Sequence, residues 1–148
     1  VPQLVLLTAG AAADDPAWSD TVGAAVLSGY TVGLLPTQAL TKLAGAQAFQ
    51  TAYQSAYPGA TVTPQSALAY DAAMVEIRAL KSLIAAQKTP TRAATLSAVT
   101  ATNAAGVTGQ IAFDKNGDPT TPPDFSIYTS DPKGIWTYQT SVAVKAAS

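Results

Sequence analysis

Apolar positions in this chain fall into short continuous runs and into longer stretches with helical spacing, separated by proline, glycine and aspartate. Leu4 to Leu7 is a continuous run, as expected of a strand covered on both faces in a parallel sheet, so Val1 to Leu7 is predicted to be an interior strand. Asp15-Pro16 then offers a helix cap followed by proline at the first helical position, which predicts a short helix from Pro16 to about Leu27, ended by Gly29. Tyr30 to Leu35 reads as a buried strand. Leu40 to Tyr57 reads as one helix that presents Leu43, Phe49, Tyr53 and Ala56 to a core, with Pro58-Gly59 as its stop.

The clearest helix runs from Pro64 to about Gln87, with Thr63 as its cap. Asp71, Arg78, Lys81 and Lys88 recur at spacings of about a helical repeat, which predicts one solvated stripe. Leu68, Ala72, Val75, Ala79 and Leu83 are assigned to the buried face. Thr89-Pro90 announces a third helix expected to reach about Thr102, where Asn103 and Gly106 break it. Gln110 to Phe113, Phe125 to Thr129 and Ile135 to Val142 read as strands, the last two joined through Ser130-Asp131-Pro132-Lys133-Gly134. No internal repeat is present. The alternation of strand and helix is that of an α/β fold.

Composition narrows the class. At 148 residues with 48% hydrophobic side chains and a mean hydropathy of +0.18, the chain can build a core and is not a disordered tail. Charged residues are only 11% and the net charge is −1, so there is no basic field to hold a phosphate backbone, and nucleic acid is not an expected partner. The absence of cysteine neither demands nor forbids an oxidising compartment. The first residues show no basic segment leading into an apolar core, so any export signal is expected to have been removed or to lie outside this sequence. Thr21 to Thr41 is uncharged and long enough to cross a bilayer, but Gly23, Gly29, Gly33 and Pro36 interrupt it and Ser28, Thr31, Thr37 and Gln38 add polar groups. A helix, a turn and a strand explain it better.

With no histidine and no cysteine, the commonest general base, metal ligand and thiol nucleophile are absent. The sequence also lacks Ser-x-x-Lys, Gly-x-Ser-x-Gly and a phosphate loop. No enzymatic activity, cofactor or metal is expected. Asp14 and Asp15, with Asp20 following, suit a helix start better than a metal site, because no other ligand type is near. Asp114-x-Asn116-x-Asp118 mimics the first half of a calcium loop, yet Pro119 stands where glycine is needed and Phe125 where a bidentate glutamate is needed, so a tight turn is expected.

The order of the motifs adds a resemblance. Gly106-x-x-Gly109, the short strand to Phe113, the turn Phe113-Asp114-x-x-Gly117-Asp118, then Ile127-Tyr128 and Gly134-Ile-Trp136 resemble the C-terminal end of type I periplasmic solute-binding proteins, the receptors of branched-chain amino acid and related ABC importers. Phe49-x-x-x-Tyr53-x-x-x-Tyr57-Pro58-Gly59 and Tyr70-Asp71-Ala72 are similar to two helices of that family, and Leu4 to Leu7 with Ser28-Gly29-Tyr30 to its preceding strand and crossover. The implied fold is a fragment of the type I periplasmic binding protein fold: parallel-sheet lobes with flanking helices and a C-terminal β-hairpin. Residues 1–29 would be a remnant of the C-terminal lobe, 30–106 a hinge strand plus helices of the N-terminal lobe, and 107–148 a hinge crossing and the hairpin. Tyr30 to Pro36 and Gly106 to Asp118 look like two of the hinge segments.

The resemblance also implies a function. The parent would be an extracytoplasmic receptor, periplasmic, secreted or lipid-anchored, that captures an amino-acid-like molecule or other small acid or amide for an ABC permease. A sensory ectodomain of a signalling receptor and, further off, a small α/β enzyme are the alternatives. In amino-acid-binding members the loop after the strand like Leu4 to Leu7 supplies a carboxylate for the ligand ammonium. Here the matching position is near Ala11, and Asp14 could substitute only if the loop folds back. The family's cleft-facing side chain before the Tyr-Asp-Ala signature corresponds to Gln65, with Ser66 adjacent. An amide at a helix start can orient a ligand carbonyl or carboxylate, and an idle first-turn glutamine is the competing reading. Trp18, Tyr30, Tyr128 and Trp136 are aromatic candidates for a pocket wall or for the core. The chain alone, with helices whose sheet is largely missing, is expected to self-associate or to pair with the missing N-terminal segment.

Overall fold

The computed structural model describes residues 6–9, 16–23, 31–121, 124–131, 133 and 135–144. Within them the chain divides into two compact units, Val1–Ala39 with Pro123–Ser148, and Leu40–Pro122.

The first unit is built on a four-stranded sheet. Strand β1 (Leu6–Ala9) pairs in parallel with β2 (Thr31–Leu35), β2 pairs antiparallel with β5 (Phe125–Ser130), and β5 with β6 (Trp136–Val142), giving the order β1-β2-β5-β6. Residues 1–5 of the predicted first strand lie outside the described residues. Its described part is the outer strand among those described, with Leu7 62% exposed, so the interior-strand expectation is corrected. A continuous apolar run records hydrophobicity, whereas burial depends on which neighbours cover the strand. Burial alternates along β2 and β5, where Thr31 and Leu35 of β2 and Ser126, Tyr128 and Ser130 of β5 are buried. Leu35, Ala39 and Tyr128 form the core with Trp136 and Tyr138 packed against it, and the rings of Tyr128 and Tyr138 meet edge to face at 5.8 Å. A register shift at Ile127/Tyr128 brings that tyrosine pair opposite one another.

Helix α1 (Pro16–Val22) is shorter than predicted, because Gly23 takes φ +78° and stops it well before Gly29. The turn from β5 to β6 is held by Asp131, whose Oδ1 accepts from the amides of Lys133 and Ile135 at 2.8 and 2.9 Å.

The second unit holds the helices. The predicted helix from Leu40 to Tyr57 is instead a 3₁₀ turn, Leu40–Lys42, followed by α2 (Ala46–Ala56). Gly45 is the N-cap of α2, and an added Cβ there would meet Val107 Cα at 3.2 Å, so the position is closely packed. Leu43 and Phe49 are buried as expected, Tyr53 is half-buried and Ala56 is exposed. Helix α3 (Pro64–Ala85) starts with a capping box: Thr63 Oγ1 accepts from the Ser66 amide at 3.3 Å and Ser66 Oγ from the Thr63 amide at 3.2 Å. Its buried row is Ala67, Asp71, Val75, Ala79 and Leu83. Leu68 and Ala72, assigned to that face, are exposed, and Asp71, assigned to the solvated stripe, is 4% exposed.

Helix α4 (Arg92–Thr100) packs along α3 and is capped by Thr91, two residues beyond the expected Thr89. Strand β3 (Asn103–Ala105), which the sequence reading took as a helix break, forms an antiparallel ladder with β4 (Gln110–Ala112). The following turn is the tight one expected: Asp114 Oδ1 accepts from the amides of Asn116 and Asp118 at 2.8 and 2.9 Å, with Gly117 at φ +90°.

Candidate functional site

The second unit carries a cleft of about 930 Å³ between α2 and the start of α3. Its apolar wall follows from spacing. Phe49 and Tyr53 of α2 and its C-cap residue Tyr57 are four residues apart and so line one face, and Tyr70 of α3 packs on Phe49. Ring centroids lie 5.1 Å apart for Tyr53 and Tyr57, 5.7 Å for Phe49 and Tyr53, and 5.2 Å for Phe49 and Tyr70, all tilted by about 50°. Phe49 is also a member of the buried cluster with Leu43, Ala46 and Ala67, so the row is anchored at that ring. Tyr57, at the outer end, is exposed.

The polar end of the cleft is the first turn of α3. Thr63, Gln65 and Ser66 line it. Ser66 Oγ is already engaged in the capping box, both with the Thr63 amide and with Thr63 Oγ1 at 3.3 Å. Gln65 differs: its residue is half-buried, and its Oε1 is sealed from solvent without a hydrogen-bond partner. A buried acceptor left unpaired costs free energy. Among the described residues that line the cleft none is charged.

One wall is positioned by a buried carboxylate. Asp71 Oδ1 accepts from the Val107 amide at 2.8 Å, and Oδ2 accepts from the Thr108 amide and Thr108 Oγ1, each at 2.7 Å. Val107 thereby stands at the cleft and packs against the cluster around Phe49. Gly106 is fitted to the same carboxylate, because a Cβ there would come within 2.6 Å of Asp71 Oδ2 and of Ile111 Cδ1. Arg78, one of the three remaining residues of the predicted charged stripe, donates from Nη1 to the Ala105 carbonyl at 3.4 Å.

The structure thus brings Gln65 and Ser66 into one cleft. Ala11 and Asp14 lie outside the described residues, as does Tyr30; Trp18 is on α1, with its side chain outside the description. Tyr128 and Trp136 pack in or against the core of the first unit. In β1, Thr8 Oγ1 is a further buried acceptor and donor without a partner. Asp20 is exposed, and no group of three metal-binding side chains occurs among the described residues. Sequence reasoning missed the Asp71 clamp, although Asp71 lies four residues from Ala67 and from Val75 and so shares their face. It saw the aromatic spacing on α2 but assigned it to core.

The sequence profile described as periplasmic binding protein matches residues 3–134. The chain belongs to the periplasmic binding protein family. Solved structures agree on the fold. A leucine-binding protein, LivK, of Thermotoga maritima superposes with a TM-score of 0.66 at 22% identity, covering 92% of this chain and 37% of that one. The LivJ branched-chain amino acid substrate-binding protein of Streptococcus pneumoniae, in complex with isoleucine, gives 0.61 at 20% identity, covering 87% and 34%. A fatty acid ABC transporter substrate-binding protein of Thermomonospora curvata gives 0.62 at 17% identity, covering 95% and 37%. Comparison with curated sequences gives no match. The chain therefore spans little more than a third of the length of these type I periplasmic binding proteins. In this family setting the Asp71 clamp joins the Tyr70-Asp71-Ala72 signature to the Gly106-x-x-Gly109 motif, two of the segments that carried the resemblance. No helix among the described residues is long and apolar enough to cross a membrane.

Proposed function

We propose that this chain is part of an extracytoplasmic solute receptor that captures a small organic molecule for an ABC permease. The observation that carries the reading is the match of residues 3–134 to the periplasmic binding protein family, in a chain whose described cleft has Thr63, Gln65 and Ser66 at its polar end. The proteins of similar fold are named for leucine, branched-chain amino acids and fatty acids, which all join an apolar body to a small polar head. An amino-acid-like molecule or another small acid or amide fits that description. Ser66 contributes through its hydroxyl, and Ala11, Asp14 and Trp18 are proposed as further ligand-facing positions. In this reading 1–29 belong to one lobe, 30–106 to a hinge strand and helices of the other, and 107–148 to a return crossing and the hairpin. Capture would proceed by closure of the intact receptor, driven by contacts made only in the closed state. Binding and delivery need no bond-making chemistry, in keeping with a chain without histidine or cysteine.

Calorimetry on the intact receptor tests this with branched-chain amino acids and short aliphatic acids and amides. Binding of one of them is expected, and Gln65→Ala should weaken it by about 1 to 3 kcal/mol without changing the fold. Affinity unchanged in Gln65→Ala would reduce Gln65 to an idle first-turn residue. Absence of binding across the set would overturn the receptor reading for these solutes.

A further inference from the structure

We propose that Asn116 is a site of spontaneous covalent modification, at which attack by the Gly117 backbone nitrogen converts the asparagine of the turn after β4 to aspartate or isoaspartate. Nothing in this depends on the receptor reading or on the cleft. The chain holds two asparagines, Asn103 and Asn116, and only Asn116 is followed by glycine. A residue without a Cβ leaves its backbone nitrogen open to the side chain that precedes it. The Gly117 nitrogen forms a bond to Asn116 Cγ as the Cγ–Nδ2 bond breaks, and the departing nitrogen leaves as ammonia with the proton that the Gly117 nitrogen gives up. Water then opens the cyclic imide. Attack at Cγ restores the main chain and yields aspartate, whereas attack at the main-chain carbonyl routes the chain through the side chain and yields isoaspartate. Water is the sole co-reactant, and nothing is oxidised or reduced.

The two asparagines sit in opposite surroundings. Asn116 is exposed together with Lys115, Gly117 and Asp118, in a turn closed by the bridge between Phe113 and Pro119. Gly117 takes φ +90°, and its amide donates to the Asp114 carbonyl at 3.1 Å. Opening of that surface bond, a local event in an exposed turn, frees the nitrogen. Among the described residues the Asn116 side chain is held by Nδ2 to Asp114 Oδ2 at 3.5 Å, the outer limit of a hydrogen bond. Its Cγ is therefore free to swing to the Gly117 nitrogen. Asn103 instead lies in β3 opposite Ala112, is followed by Ala104, and accepts through Oδ1 from Gln110 Nε2 at 2.6 Å. There the ladder fixes the backbone and the hydrogen bond fixes the side chain.

Modification would act on the turn from within. Asp114 Oδ1 accepts from the amides of Asn116 and Asp118, and the Asp114 amide donates to the Asp118 carbonyl at 2.8 Å. Isoaspartate inserts a methylene into the main chain between those partners, and either product sets a new carboxylate between Asp114 and Asp118, where like charges repel.

The test incubates the 148-residue chain in warm, mildly alkaline buffer, folded and in urea, and follows each asparagine by peptide mass mapping. In the folded chain the Asn116 peptide should gain the mass difference between a hydroxyl and an amino group and separate into two chromatographic forms, while the Asn103 peptide stays unchanged. The Asn116→Asp variant marks the aspartate form. Asn116→Gln should abolish the change and leave the urea unfolding curve where it was, because Asp114 holds the turn through backbone amides. The isoaspartate form, isolated by chromatography, should exchange its Asp114 amide with deuterium faster than Asn116→Asp does, which separates the longer main chain from the added charge. Equal rates at Asn103 and Asn116 in the folded chain would overturn the proposal. So would modification of Asn116 in urea alone, since the hydrogen bonds of the turn would then protect the site. Equal amide exchange in the isoaspartate form and in Asn116→Asp would overturn the loosening of the turn.

Discussion

Burying the Asp71 carboxylate costs desolvation that its three donors, the Val107 amide and the Thr108 amide and hydroxyl, offset. Removing it leaves two backbone N–H groups without a partner beneath the turn. Asp71→Ala should therefore destabilise the chain by roughly 2 to 4 kcal/mol in urea unfolding. Gly106→Ala should cost more than about 1 kcal/mol, because the new methyl group meets Asp71 and Ile111. Since one of those clashes is with Asp71 itself, the double variant should lose less than the sum of the two single ones. Gln87 provides the opposite case. It sits at φ 55° just past α3, where Lys88 donates its amide back to the Leu83 carbonyl at 2.9 Å. Gln87→Gly should raise stability by about 0.5 to 1 kcal/mol, read as a shift of the urea midpoint, because glycine adopts that backbone without the Cβ conflict.

At the scale of the element, α3 is apolar on two opposite sides. One is the buried row of four-residue spacing from Ala67 to Leu83, and the other holds Tyr70, Ile77, Leu80 and Ile84, all exposed, with Ile84 64% open to solvent. Spacings of seven, three and four keep that second set on a single stripe. Helix propensity and the cap set where α3 begins, so Thr63→Ala should cost about 1 kcal/mol by thermal unfolding, as an N-cap loss does. Apart from Tyr70, whose ring packs on Phe49, its outer stripe contributes nothing to the described core. Ile77→Lys with Ile84→Lys should leave the unfolding free energy within about 0.5 kcal/mol of the parent. The same pair should lower self-association in sedimentation experiments.

The whole chain shows the same excess of open apolar surface. Leu7 on the outer strand, Tyr57 beside the cleft, Leu96 on α4 and Val142 on β6 are exposed along with the α3 stripe. The chain covers only 34 to 37% of the solved proteins of similar fold. In isolation it should therefore form a self-associated species, visible as a concentration-dependent mass in light scattering. A compact monomer that unfolds cooperatively at high concentration would contradict this and would favour an independent small domain.

Local signals in the sequence were sufficient for much of this. Thr63-Pro64 marked the start of α3, Asp114 to Asp118 marked a tight turn, and Phe125 to Val142 marked two strands of a hairpin, because caps, turns and alternation act over a few residues. The ordered motifs also pointed to the family. Tertiary structure decided what those signals could not carry. Asp71 reads as solvated until Val107 and Thr108, 36 and 37 residues away, bring their donors to it. Leu6 and Leu7 read as part of an interior strand until the sheet order made theirs the outer strand among those described. In each case the deciding neighbour is distant in sequence, and hydrogen bonding and burial are properties of neighbours in space.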